Sequence, residues 1–253
     1  MDLGLTDRVY VLTGASRGLG YATAECLVAD GARVVVSARD KDGVAAAAER
    51  LGGRERAVGV PADLAQPDAA ERLVAQARES FGRLDGALIS VGGPPPGTAA
   101  GVGDDAWRAA FETVFLGAVR AARTVAGTLD PTGAVGLVLS TSARSPITGL
   151  GISNGLRPGL AGVAKDMADE FAPRGVRVFS LLPGRIMTDR NRELFAATGD
   201  AEKAKAQAEA AIPMGRIGEP AEFGRVAAFL LSPAAGYVTG ISVPVDGGAT
   251  RAL

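Results

Sequence analysis

Thr13-Gly14-Ala15-Ser16-Arg17-Gly18-Leu19-Gly20 decides how this chain is read. An apolar, β-branched run over residues 8–13 leads into it, and a helical pattern over 18–30 leaves it. Small residues at such a strand-to-helix turn let an anionic group approach the backbone, and the first amides of the helix point at that group. A glycine cluster alone marks only a tight turn. The strand before it and the helix after it make this one a phosphate cradle.

The same alternation continues outward. Strand patterns fall at 8–13, 32–37, 56–60, 85–90, 134–141, 176–182 and 241–245, separated by helical patterns at 18–30, 43–51, 67–81, 104–128, 154–171 and 220–231. End-to-end alternation predicts an α/β fold: one doubly wound, Rossmann-type parallel sheet with helices on both faces. No linker or repeat divides the 253 residues, so the expectation is a single dinucleotide-binding and catalytic domain over 1–253. Residues 185–212 are rich in Ala, Glu and Lys, predicting one or two surface helices that could cover a site as a lid.

Composition narrows the function classes. With 47% hydrophobic and 22% charged residues and a net charge of −1, the chain has no excess of basic charge to favour nucleic acid. It has no apolar run long enough for a membrane span. The single cysteine, Cys26, and a start without a basic-then-apolar segment fit a cytoplasmic protein. There is no histidine, so proton transfer near neutral pH falls to carboxyls, hydroxyls, Cys26 or water. No metal site is expected.

Taken in order, Thr13-Gly14-x-x-x-Gly18-x-Gly20, Asp63-Leu64, Pro183-Gly184 with Thr188, and Asp246-Gly247-Gly248 resemble the motifs of the short-chain dehydrogenase/reductase family over nearly the whole chain. The resemblance implies an NAD(P)-dependent oxidoreductase acting on a small-molecule carbonyl or alcohol, assembled as a homotetramer or homodimer. The implied cofactor contacts are Thr13, Gly14, Ser16, Arg17, Gly18, Leu19 and Gly20 in the loop, Asp63 and Leu64 on the adenine side, Gly92 after the fourth strand, and Pro183, Gly184 and Thr188 on the nicotinamide side. The second strand ends Ser37-Ala38-Arg39. An arginine there, with Arg17, favours the extra phosphate of NADP(H), while the neighbouring Asp40 leaves NAD(H) open.

The chemical end departs from the family. Its members use an Asn-Ser-Tyr-Lys set, whereas no tyrosine of this chain (Tyr10, Tyr21, Tyr237) has a lysine four residues later. Ser153-Asn154-Gly155-Leu156-Arg157 stands where Tyr-x-x-x-Lys is expected, Val114 stands at the asparagine, and Ser90-Val91-Gly92 replaces Asn-Ala-Gly. Spacing assigns the serine to Ser140, with Ser142 as an alternative on the same side of an extended strand. The candidate catalytic set is therefore Ser140, Ser153 and Arg157. Serine is a poor replacement for tyrosine as an acid, and arginine binds charge but does not readily shuttle protons. Arg157 is thus expected to hold the cofactor ribose and to stabilise developing negative charge. Asn154 is expected to hold water or to cap the helix, and Arg144 and Asp189 are loop charges near the mouth. Two other functions stay open: a non-redox enzyme (dehydratase, isomerase or cyclase) on the same scaffold, and a nucleotide-binding protein without turnover.

Overall fold

The computed structural model describes residues 2–252. Seven parallel strands form one sheet in the order β3-β2-β1-β4-β5-β6-β7: β1 (Val9–Thr13), β2 (Arg33–Ala38), β3 (Ala57–Pro61), β4 (Gly86–Ile89), β5 (Ala134–Val138), β6 (Arg177–Pro183) and β7 (Ser242–Val245). The central strands are continuous apolar runs because both faces are covered. In β1 the alternation is direct: Val9 and Val11 join the core on one face, while Tyr10 and Leu12 join the core on the other.

Helices α1 (Gly18–Ala29) and α2 (Lys41–Arg50) pack on the Tyr10 face. α3 (Ala69–Phe81) packs on the Val9 face. From residue 104 to 128 the chain is helical, as expected, but in three pieces. α4 (Asp104–Ala110) passes into a π-helical turn over Phe111–Leu116 and then into α5 (Gly117–Thr128). α6 (Gly151–Phe171) begins three residues before the sequence pattern suggested, which puts Ser153 in its first turn. The region 185–212 holds two short helices, α7 (Asp189–Ala196) and α8 (Ala201–Ala210). They close over a small cluster of Phe195, Ala208, Ile212 and Ile217. The last helix, α9 (Pro220–Leu231), lies beside α1. No helix among the described residues is long and apolar enough to cross a membrane.

One strand is shorter than its sequence pattern. β5 ends at Val138, Ser140 is extended (φ −170°), and Thr141–Ala143 form a 3₁₀ turn. The expectation that Ser140 and Ser142 share one face of a strand is therefore wrong. Ser140 caps that turn, its hydroxyl accepting from the Ser142 amide at 3.1 Å.

Candidate functional site

The winding direction reverses between β1 and β4, and in such sheets ligands bind in the crevice at the strands' carboxyl ends. A cleft of about 1170 Å³ opens there, lined by Gly14, Ser16 and Arg17 of the loop, Asp63 and Leu64 after β3, Ser90, Val91 and Gly92 after β4, and Val114. Gly14 has φ +59°, and a Cβ on it would lie 2.8 Å from the Ser90 carbonyl oxygen. A Cβ on Gly20 would lie 2.8 Å from the Gly14 carbonyl oxygen. The loop thus folds only with glycine at these points, and it leaves the start of α1 open, with no acidic side chain in the first turn. The Thr13 hydroxyl donates to the Ser90 carbonyl at 2.7 Å and accepts from the Ser90 amide at 2.8 Å. Its side chain builds the wall and has no hydrogen left for a ligand. Leu19 packs its side chain into the core and offers only backbone.

The end of the cleft beyond β2 is cationic. Arg17 and Arg39 are exposed there, and the sequence reading missed a third arginine, Arg50 of α2. Arg50 stacks 4.7 Å over the Tyr21 ring and donates to the Tyr21 hydroxyl at 3.2 Å and the Ser16 carbonyl at 3.4 Å. The signal for it was its spacing: Gly43, Ala46 and Arg50 are three and then four residues apart, one stripe of α2 along the cleft. Asp40 is the N-cap of α2, its carboxylate accepting from Asp42 and Gly43 amides at 3.2 Å. Asp63 accepts from the Ala65 amide at 3.0 Å and faces the cleft. The glycine cradle, the open α1 terminus and these cations fit a dinucleotide.

On the other side, Pro183 ends β6 and Gly184 packs against Asp246, where a Cβ would lie 2.6 Å from Asp246 Cβ. Thr188 opens α7 next to Gly18. α7 touches both walls of the cleft: Glu193 pairs with Arg17 at 3.6 Å, and Arg190 donates to the carbonyls of Gly93 and Pro94 at 3.4 and 3.5 Å. Asp189 lines the cleft and pairs with Arg192 at 3.0 Å. Arg144 donates to the Ser242 carbonyl at 3.0 Å.

Beneath the cleft, the Ser153 hydroxyl lies 2.9 Å from that of Ser142, both buried. The structure therefore brings Ser142, not Ser140, against Ser153. Arg157, one turn further along α6, is 4% exposed. Its Nη1 donates to the Val138 carbonyl at 3.0 Å, while Nε is sealed with no partner. Burial, with a smaller contribution from the like charge of Arg190, pulls its pKa down to about 10. Arg177 makes the contrast clear. Also buried, it donates to four carbonyls at the end of α9 and beyond it, Leu230, Leu231, Ser232 and Val238, at 2.7–3.4 Å. It is a structural arginine, whereas Arg157 keeps donors unused. Ser140, Ser153 and Arg157 lie outside the lining of the open cleft. Val114 is 3% exposed and packs with Ala110, Ile152 and Leu156 in an apolar cluster. Asn154 accepts from the Ile147 amide and donates to its carbonyl, both at 2.9 Å. It clamps the 144–150 loop onto α6, and both ends of its amide are taken.

An open phosphate cradle, a cationic rim and a buried hydroxyl–arginine set at the end of a doubly wound sheet describe a nucleotide-dependent oxidoreductase. Comparison with known proteins agrees. Residues 14–250 match the family model described as enoyl-(acyl carrier protein) reductase. The chain is 34% identical over 254 residues to the L-rhamnose 1-dehydrogenase (NAD(P)(+)) of Azotobacter vinelandii, covering 96% of this chain and 97% of that one. Among solved structures it resembles L-sorbose reductase from Gluconobacter frateurii, complexed with NADPH and L-sorbose (TM-score 0.93, 29% identity, all of both chains). It equally resembles a short chain oxidoreductase from Pseudomonas aeruginosa PAO1 described as containing an atypical catalytic center (TM-score 0.91, 30% identity, all of both chains). The chain belongs to the short-chain dehydrogenase/reductase family.

Proposed function

We propose that the protein is an NADP(H)-dependent oxidoreductase of a carbonyl or alcohol, with a non-standard site in which Ser153 and Arg157 replace the family's tyrosine and lysine. The observation that carries the cofactor preference is the end of β2: Arg39 and Arg17 flank the cleft, while Asp40, the acid next to Arg39, is engaged by the α2 amides. A carboxylate held by its own helix is a weak partner for a ribose hydroxyl, whereas Arg39, together with Arg17, which is tied only by an exposed 3.6 Å pair to Glu193, suits a phosphate.

When bound, the nicotinamide supplies or accepts the hydride. The chain's own residues do the rest. Ser142 holds the Ser153 hydroxyl, which orients a substrate oxygen or a water. The Arg157 charge, at a pKa of about 10 still protonated at neutral pH, stabilises negative charge on that oxygen. Val114 and its apolar neighbours keep solvent from the floor. The proton comes from water or from the substrate, because no side chain of the set is an acid suited to neutral pH. Loss of a positioned acid forfeits a factor of about 10² to 10⁴, so turnover is expected to be slow or restricted to substrates that bring their own donor. The lid reading is likewise proposed: α7, touching both walls, opens to admit substrate.

One observation favours a second reading. Arg157 and Ser153 are closed off from the cleft, which would suit a scaffold that binds nucleotide and performs non-redox chemistry or none. Calorimetry with NADPH and NADH tests the cofactor claim: NADPH is expected to bind at least about tenfold tighter, and Arg39→Asp to erase or reverse the difference. Equal dissociation constants would refute it. NADPH consumption with a panel of carbonyls then separates reduction from conversion without cofactor oxidation.

A further inference from the structure

The acids and bases around the mouth are distributed unevenly. No acidic residue occurs between Asp85 and Asp104 or between Asp130 and Asp166, and these two stretches supply the turn after β4 and the whole Ser140–Arg157 region. The acids that do approach are occupied. On α7, Asp189 pairs with Arg192 and Glu193 with Arg17. Beneath Gly184, Asp246 accepts from the Gly248 and Thr250 amides at 2.9 and 2.8 Å. Arg190 is left as the cation of α7 with no acidic partner among the described residues. Its only side-chain hydrogen bonds among the described residues are two long ones to the Gly93 and Pro94 carbonyls. At 3.4 and 3.5 Å these are at the weak end of hydrogen bonding and are easily exchanged for a better acceptor.

Arg157 adds to this. It is anchored at the carboxyl end of β5, and Arg190 is anchored just past the end of the neighbouring β4, so two guanidinium groups converge on adjacent strand ends. A guanidinium desolvated without a counter-ion is costly, and two of like charge without an acid between them form a field that favours an anion. The cofactor's phosphates have their own seats, at the start of α1 and at the Arg17–Arg39 rim. The nicotinamide-side ribose is neutral. The anion for this end must come from the substrate.

We propose that the substrate carries a carboxylate, and that Arg190 holds it at the mouth between the 92–97 turn and α7. The planar guanidinium donates to both carboxylate oxygens in place of the two backbone carbonyls. Arg157 remains for the reacting oxygen. An oxo or hydroxy acid thereby gains the Arg190 contact, which its ester lacks. This inference rests on the carbonyl or alcohol reading above.

The test uses matched probes that differ in charge and one methyl group: acetoacetate against methyl acetoacetate, and benzoylformate against its methyl ester. Binding to the protein saturated with NADP⁺ is followed by ligand-observed NMR, so no turnover is required. Each acid is expected to bind about tenfold or more tighter than its ester, the advantage falling with added salt. Arg190→Ala should raise the acid's dissociation constant by about 10- to 100-fold, as expected for a charge-assisted bond, with the ester changed less than about twofold. Arg190→Lys should recover part of the loss. Equal binding of acid and ester, an equal effect of Arg190→Ala on both, or no acid binding at all would overturn the proposal. Cofactor binding is measured separately. Weak NADP⁺ binding with retained acid selectivity would defeat the cofactor reading and leave this one standing.

Discussion

Replacing Arg157 by methionine should make the protein more stable while removing its chemistry. At about 10 the guanidinium lies more than two pH units below the ordinary arginine range. With about 1.4 kcal/mol per pH unit, holding the charge in the fold costs about 3 kcal/mol. The side chain is 4% exposed, so solvent screening does not reduce this much. Against it stands one hydrogen bond, Nη1 to the Val138 carbonyl, worth about 1–2 kcal/mol including the acceptor left behind. Methionine fills a similar volume without charge. The net expectation is a gain of about 1–2 kcal/mol, which for a chain of this size is a rise in Tm of about 2–8 °C. At neutral pH the folded and unfolded chains are both protonated at Arg157, so the gain does not vary with pH there. The wild type recovers the difference only as pH rises above 10, where the folded chain releases this proton before the unfolded one does. Circular dichroism melts of the ligand-free protein read the effect. Arg177→Met is the control: that arginine binds four carbonyls, and its loss should destabilise by about 3 kcal/mol or more. If Arg157→Met melts lower than wild type, Arg157 is a structural tie like Arg177 and its assignment to the chemistry falls.

Three further outcomes are expected. Ser142→Ala should slow turnover about tenfold or more, without weakening NADPH binding, because it frees Ser153; Ser140→Ala, which loses only a turn cap, should do less, and the reverse ranking would return the serine role to Ser140. Gly14→Ala should cost about 1–3 kcal/mol by urea unfolding and weaken NADPH binding, since alanine must adopt φ +59° against the Ser90 carbonyl; an unchanged midpoint would contradict the cradle geometry. Asn154→Ala should speed hydrogen exchange at the Ile147 amide and cost about 1–2 kcal/mol, and unaltered exchange would show that the 144–150 loop is held by something else.

The sheet was legible because each strand holds a short apolar run, β-branched above all in β1 and β2, between helical patterns, and because the glycine loop fixed where the nucleotide end lies. Local pattern failed where the chain bends without changing composition. Leu139-Ser140-Thr141-Ser142 reads as continuing strand, yet a hydroxyl cap turns it into a 3₁₀ turn, and that bend decides which serine faces Ser153. The stretch 104–128 reads as one helix because a π turn keeps helical periodicity nearly intact. The absence of any tyrosine followed four residues later by lysine is plain in the sequence. What Arg157 lacks, a partner for Nε, is a fact of packing that no spacing contains. Arg50 and Arg190 escaped for the same reason: their meaning lies in what they touch across the cleft, 29 to 97 residues away along the chain.

The Thr13–Ser90 clip bears on the order in which this protein acquires function. Its two hydrogen bonds join residues 77 apart, at the seam where the β1–β3 half of the sheet meets the β4–β7 half. Closing so long a loop costs more chain entropy than gathering the helices within each half, so this clip is expected to form after them. Gly14 is shaped against the Ser90 carbonyl across that seam, so the phosphate cradle does not exist in either half alone. Nucleotide added during refolding should therefore find its seat only once the halves have docked, and would report that last step rather than the collapse that precedes it.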